Sequence, residues 1–126
     1  MRVLLAGGGT AGHINPAISI ADTIKRKEPD SEFLFVGTES GMESTLVPKA
    51  GYKIEFVEVS GFKRKLTVKN IMAVLKAATA CGKCRKIIKN FKPDVVIGTG
   101  GYVSGPLLYA AAAMKIPTLI HEQNVF

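Results

Sequence analysis

Two apolar runs, each ending in a glycine-rich turn, constrain this chain more than anything else in it. Val3-Leu4-Leu5-Ala6 leads into Gly7-Gly8-Gly9-Thr10-Ala11-Gly12-His13. Val95-Val96-Ile97 leads into Gly98-Thr99-Gly100-Gly101-Tyr102-Val103-Ser104-Gly105-Pro106. A near-continuous apolar run bounded by turn residues reads as a strand buried on both faces, the signature of a parallel sheet. Glycine has no Cβ, so the backbone amides of such a turn can approach a phosphate or a hydroxyl closely. Two such turns at the ends of two strands point to one cleft lined from both sides.

The rest of the chain alternates in the same way. Arg2 to Ala6, Phe33 to Val36, Tyr52 to Val59, Val95 to Ile97 and Thr118 to Ile120 read as strands. Helices are expected from Pro16 to about Lys27, Glu43 to Lys49, Val68 to about Asn90 and Val103 to Met114, with Thr67 placed to cap the third. Strands alternating with helices predict an α/β fold with a doubly wound parallel sheet. Ala17, Ile20, Ala21 and Ile24 make the inner face of the first helix. Ile54, Phe56, Val57 and Val59 make the apolar side of the third strand. Ile71, Val74, Ala78, Cys81 and Ile88 make the stripe of the long helix.

Gly7-x-Gly9-x-x-Gly12 satisfies the dinucleotide-binding pattern, which alone is a weak signal. Two features oppose it. A helix opening inside the glycine run would place Pro16 in its interior, at about 3 kcal/mol or more. Asn15-Pro16 reads instead as a helix start, with the loop running through His13 and Ile14. An NAD site also calls for an acid at the end of the second strand, which here ends in Gly37-Thr38.

At 126 residues and 47% hydrophobic the chain suits one domain with a real core. It holds no run of about 18 apolar residues and no signal-peptide pattern, so the expected compartment is the cytoplasm. The net charge of +7 is unevenly placed. Ten of the 17 Lys and Arg, and no acid, fall between Ser60 and Pro93. That asymmetry points to an anionic partner, a lipid headgroup layer or nucleic acid, or to a solvated helix face. Cys81-Gly82-Lys83-Cys84 sits inside a predicted helix with no partner pair, so both thiols read as structural. No Asp-x-Asp or His/Cys cluster of metal-ligand type is present, and no cofactor is called for.

Gly7 to His13, Met42-Glu43 with Leu46-Val47-Pro48, Lys92-Pro93-Asp94-Val95-Val96, Gly100 to Pro106 and His121-Glu122-Gln123-Asn124 occur in one order along the chain. In that order they resemble the peptidoglycan UDP-N-acetylglucosamine transferases, the MurG family. The likeness covers essentially the whole chain, and Ala11 stands where the family often has Gly. The resemblance implies the Rossmann-like N-terminal, acceptor-side half of a GT-B glycosyltransferase. Its C-terminal donor-binding domain would lie outside these 126 residues. It implies transfer of N-acetylglucosamine from UDP-GlcNAc to the muramyl 4-hydroxyl of lipid I, with inversion, at the cytoplasmic face of the bacterial membrane. A peripheral membrane surface, not nucleic acid, is then the anionic partner.

On that resemblance His13 is the candidate base. Thr10, Ala11, Gly12 and Asn124 are expected near the donor. Gly100, Gly101, Tyr102 and Ser104 are expected at the acceptor diphosphate. His121 and Glu122 stand as supporting residues. Lys63, Arg64, Lys65, Lys69 and Met72 are expected to contact the membrane. Two other functions stay open on the residues alone: a non-catalytic, membrane-recruiting subunit of a two-chain transferase, and a dinucleotide-binding module.

Overall fold

The computed structural model describes residues 1–58 and 68–121, of which 68–77 are described by their backbone alone. Among the described residues, five strands form one sheet: β1 (Arg2–Gly7), β2 (Glu32–Gly37), β3 (Lys53–Phe56), β4 (Val95–Gly100) and β5 (Thr118–Ile120). Four helices alternate with them: α1 (Ala11–Lys27), α2 (Glu43–Lys49), α3 (Val68–Phe91) and α4 (Ser104–Ala113). All neighbouring strands run parallel, in the order β3-β2-β1-β4-β5. The order reverses between β1 and β4. In open parallel sheets ligands bind at that reversal, outside the carboxyl ends of the strands. Both glycine-rich turns are there.

The residues of the central strands β1, β2 and β4 bury on both faces because helices cover both, while β3 and β5 at the sheet edges stay largely exposed. On one face Ile14, Ala17 and Ala21 of α1 and Val47 of α2 pack on Val3, Leu5, Phe35 and Ile97. On the other, Ala80, Cys84 and Ile88 of α3 and Leu107, Ala110 and Ala111 of α4 pack on Leu4, Ala6, Val36 and Val96. Leu4 and Leu5, adjacent in sequence, therefore sit in opposite cores, as strand alternation requires.

Three expectations need correction. The first helix opens at Ala11, inside the glycine run, with Pro16 within it. Proline removes the bond to the Gly12 carbonyl and crowds it. The turn is held from outside instead. The Thr99 hydroxyl donates to the His13 carbonyl at 2.5 Å, and Ile14 and Ala17 are fully buried. Phe56 is exposed, and Val57 takes the buried place beside it. On α3 the buried stripe is Ala80, Cys84 and Ile88, while Ala78 is exposed and Cys81 half-buried. Small residues stand at 77–82 and 84, so periodicity there has little contrast, and the larger Ile88 and Phe91 pack into the core. Ile71 and Val74 fall among the side chains not described, and Val59 and Thr67 lie outside the described residues.

Candidate active site

The site grows out of the reversal between β1 and β4. The pairing of these strands shifts by one residue, from Ala6 opposite Gly98 to Gly7 opposite Gly100. Thr99 is the extra residue. A bulge of this kind re-aims a side chain at the end of a strand, and here it turns the Thr99 hydroxyl onto α1. Beyond it the two turns touch through their backbones. The Gly8 N–H donates to the Gly100 carbonyl at 3.1 Å. Gly101 has φ +97, and a Cβ there would lie 2.6 Å from the Gly8 carbonyl oxygen. Only glycine permits both that backbone angle and that approach.

His13 lies at this junction, on the first turn of α1. Its Nδ1 is 3.1 Å from the Gly8 carbonyl oxygen. A carbonyl only accepts, so Nδ1 carries the proton and Nε2 of the neutral ring is left with its lone pair. The Thr10 hydroxyl lies farther off, 3.4 Å from Nδ1. The ring packs on Gly100, where a Cβ would come within 2.8 Å of Nε2. The structure thus brings together His13 with Gly100 and Gly101, residues separated by most of the chain.

Thr10 is the N-cap of α1, in extended conformation and with no side-chain cap bond. The first backbone bonds of the helix run from His13 and Ile14 to the Thr10 carbonyl. The amides of Ala11 and Gly12 precede them, at the positive end of a 17-residue helix. Thr10 and Gly12 are exposed, and Ala11 is half-buried. Tyr102 projects from the second turn, 66% exposed.

Ser104 differs from the expectation of a ligand-facing hydroxyl. It is buried at the start of α4 and accepts from the Gly100 N–H at 3.2 Å. Its one proton serves either the Gly100 carbonyl at 2.8 Å or the Ala6 carbonyl at 3.0 Å. In this arrangement it braces the second glycine turn against β1.

Glu43 has no counterpart among the sequence-derived candidates. It is 2% exposed. Its carboxylate accepts from the Gly9 N–H at 3.1 Å, the Thr38 N–H at 2.9 Å and the Thr38 hydroxyl at 3.2 Å. The helix does open inside the glycine run, as the dinucleotide-binding pattern wants. The acid beside the end of β2, however, is buried and bonded to the glycine turn itself.

Several expected residues fall elsewhere. His121 is exposed just past β5, its backbone N–H bonded to the Gly98 carbonyl at 2.9 Å. Glu122 and Asn124 lie outside the described residues, as do Lys63, Arg64 and Lys65. Lys69 and Met72 fall on α3, among the side chains not described.

A model of the glycosyltransferase family 28 N-terminal domain matches residues 3–126. The chain belongs to glycosyltransferase family 28. Its parallel sheet with flanking helices is the Rossmann-like N-terminal architecture of the GT-B members of that family. Two relatives are UDP-N-acetylglucosamine--N-acetylmuramyl-(pentapeptide) pyrophosphoryl-undecaprenol N-acetylglucosamine transferases. That of Acetivibrio thermocellus is 56% identical and that of Alkaliphilus oremlandii 59% identical, each over 126 residues, all of this chain. The chain spans about a third of the length of these curated relatives, 34% of each. The crystal structure of Acinetobacter baumannii MurG superposes with a TM-score of 0.84 at 31% identity, over 98% of this chain and 36% of that one. The glycosyltransferase VinC, at 15% identity over 97% of this chain and 34% of its own, shares the fold with a TM-score of 0.65.

Proposed function

We propose that this family 28 domain is the acceptor-side half of an inverting transferase. The whole enzyme moves N-acetylglucosamine from UDP-GlcNAc to the muramyl 4-hydroxyl of lipid I and so makes lipid II. The observation that carries the reading is the junction of His13 with both glycine turns at the strand-order reversal. The identity of 56–59% with transferases so named supports it.

The chemistry follows from that junction. His13 Nε2 takes the proton of the acceptor hydroxyl. The freed oxygen forms a bond to C1 of the donor sugar on the face opposite UDP. The bond from C1 to the phosphate oxygen breaks, and UDP leaves with its electron pair. The amides of Ala11 and Gly12 and the Thr10 hydroxyl lie on the donor side. The positive end of α1 offsets charge developing on the departing diphosphate. Gly100, Gly101 and Tyr102 line the acceptor diphosphate, with Ser104 holding their turn. Asn124 orients a donor hydroxyl. A second α/β domain supplies the remaining donor contacts.

The acceptor is lipid-anchored, so the enzyme works as a peripheral protein on the cytoplasmic face of the membrane. Lys63, Arg64, Lys65, Lys69 and Met72 are its contact there. Assay of the full-length protein with UDP-GlcNAc and a soluble lipid I analogue tests the proposal. Formation of the disaccharide product is expected, with none from residues 1–126 alone. Donor turnover by the isolated domain, or no transfer by the full-length protein, overturns it.

A further inference from the structure

We infer that Glu43 is a positioning residue for the reaction, a buried anion that fixes the glycine turn carrying His13. The inference rests on the proposed role of His13 as base.

The carboxylate sits where the chain has made room for it. A Cβ on Gly8, Gly37 or Gly41 would run into it. A buried carboxylate is costly unless hydrogen-bonded. This one has three donors from two separate segments, Gly9 after β1 and Thr38 after β2. It therefore ties the end of β2 to the turn after β1, 34 residues from Gly9.

The tie reaches the imidazole in two short steps. Gly9 has φ +84, in the left-handed region, and the bond from its N–H to Glu43 Oε1 helps hold it there. Its neighbour Gly8 supplies the carbonyl that fixes Nδ1–H of His13. Rotation of the Gly8–Gly9 peptide would move that carbonyl and release the tautomer that leaves Nε2 unprotonated. Glu43 faces no open space, so it acts through the turn.

The chemistry requires an anion. All three partners are donors, and a carboxylate presents two acceptor oxygens to them. A glutamine of the same shape presents one oxygen and one NH2. Its NH2 group then faces either Gly9 or Thr38, donor against donor. Glu43→Gln therefore breaks one side of the tie with almost no change in volume.

The test uses the full-length protein. Glu43→Gln should lower kcat by about 10- to 100-fold, because small misplacements of a catalytic group have effects of that size. The KM for UDP-GlcNAc should hardly move, at a temperature where near-UV circular dichroism matches the parent. In a His13→Ala background the same substitution should have little further effect, since groups acting through one another are not additive. Imidazole nitrogen signals of His13 should shift from the Nδ1–H form toward a mixture of tautomers. Parental kcat, an equal loss in both backgrounds, or an unchanged imidazole signature overturns the inference. If Glu43→Gln does not fold, Thr38→Val removes one donor and should give a smaller loss with the same dependence on His13. Parental kcat in that variant overturns it too. His13→Ala with parental kcat would instead refute the base, while the imidazole signature still decides the tie.

Discussion

The His13 ring rests on the backbone of Gly100, 87 residues away, close enough that a Cβ at that glycine would stand 2.8 Å from Nε2. The imidazole and the second glycine turn therefore share one position, and a side chain added at the turn displaces the ring.

Three glycine-to-alanine changes should separate backbone angle from crowding. Gly9, Gly100 and Gly101 all have positive φ, which costs a residue with a Cβ about 1–2 kcal/mol. Gly9→Ala meets nothing within 4 Å, so that cost is expected alone. Gly100→Ala pushes a side chain that can turn away, so kcat should fall more than stability. Gly101→Ala strikes the Gly8 backbone, so stability should fall most. Thermal denaturation with kinetics of the full-length protein ranks the three. Gly101→Ala as stable as Gly9→Ala would contradict the packing of the turns.

Ser104 and Tyr102 should respond in opposite ways. Ser104→Ala leaves the Gly100 N–H without its acceptor and should destabilise by about 1–3 kcal/mol. Tyr102→Ala removes an exposed ring and should leave the melting temperature unchanged while raising the KM for the lipid acceptor. Acceptor titrations beside melting curves check both.

The buried free thiol of Cys84 predicts an alkaline limb of stability. Burial, and secondarily the neighbouring Cys81, pushes the Cys84 thiol from 9.0 up to about 12. The unfolded chain then loses its thiol proton first. The contribution is complete below about pH 9 and is lost as pH rises toward 12. Tyr52 shifts the same way, by burial first and then by its bond to Asp22, and adds to the loss at higher pH. Cys84→Ala should flatten the fall in melting temperature above pH 9. Alkylating reagents should reach Cys81 before Cys84, which is fully buried. Equal labelling rates in the folded protein would contradict that burial.

Much of this arrangement was legible in the sequence. The apolar runs placed four strands, and glycine placed both turns. Alternation placed β3 within Tyr52 to Val59, although it pairs only over Lys53–Phe56. What was not legible depended on distant residues. Pro16 argued against a helix start at Ala11 because the hydroxyl that steadies that turn comes from Thr99. Thr99 itself read as one more turn residue, since a bulge is defined only by the partner strand. Glu43 stood in the sequence only as the start of a short helix and part of the Met42-Glu43 motif, with no role, because its donors at Gly9 and Thr38 meet only when β1 and β2 pair. On α3, small residues at 77–82 and 84 gave periodicity too little contrast to fix which face is buried.

The basic segment gives a prediction that rests on sequence. The domain should co-sediment with anionic vesicles, less at high salt and less with neutral lipid. Replacing Lys63, Arg64, Lys65 and Lys69 with Gln should weaken binding by about 1 kcal/mol per charge at the surface. Unchanged sedimentation of the quadruple variant at low salt would mark the segment as a solvated face.

In the reaction proposed above, His13 Nε2 is the base, held between two glycine turns. The kcat of His13→Ala in the full-length protein, at saturating UDP-GlcNAc and lipid acceptor, tests it most directly. A fall of about 10²–10⁴-fold with little change in donor affinity is predicted. A near-parental kcat would contradict the claim and leave His13 as a brace of the turn that its Nδ1 already bonds.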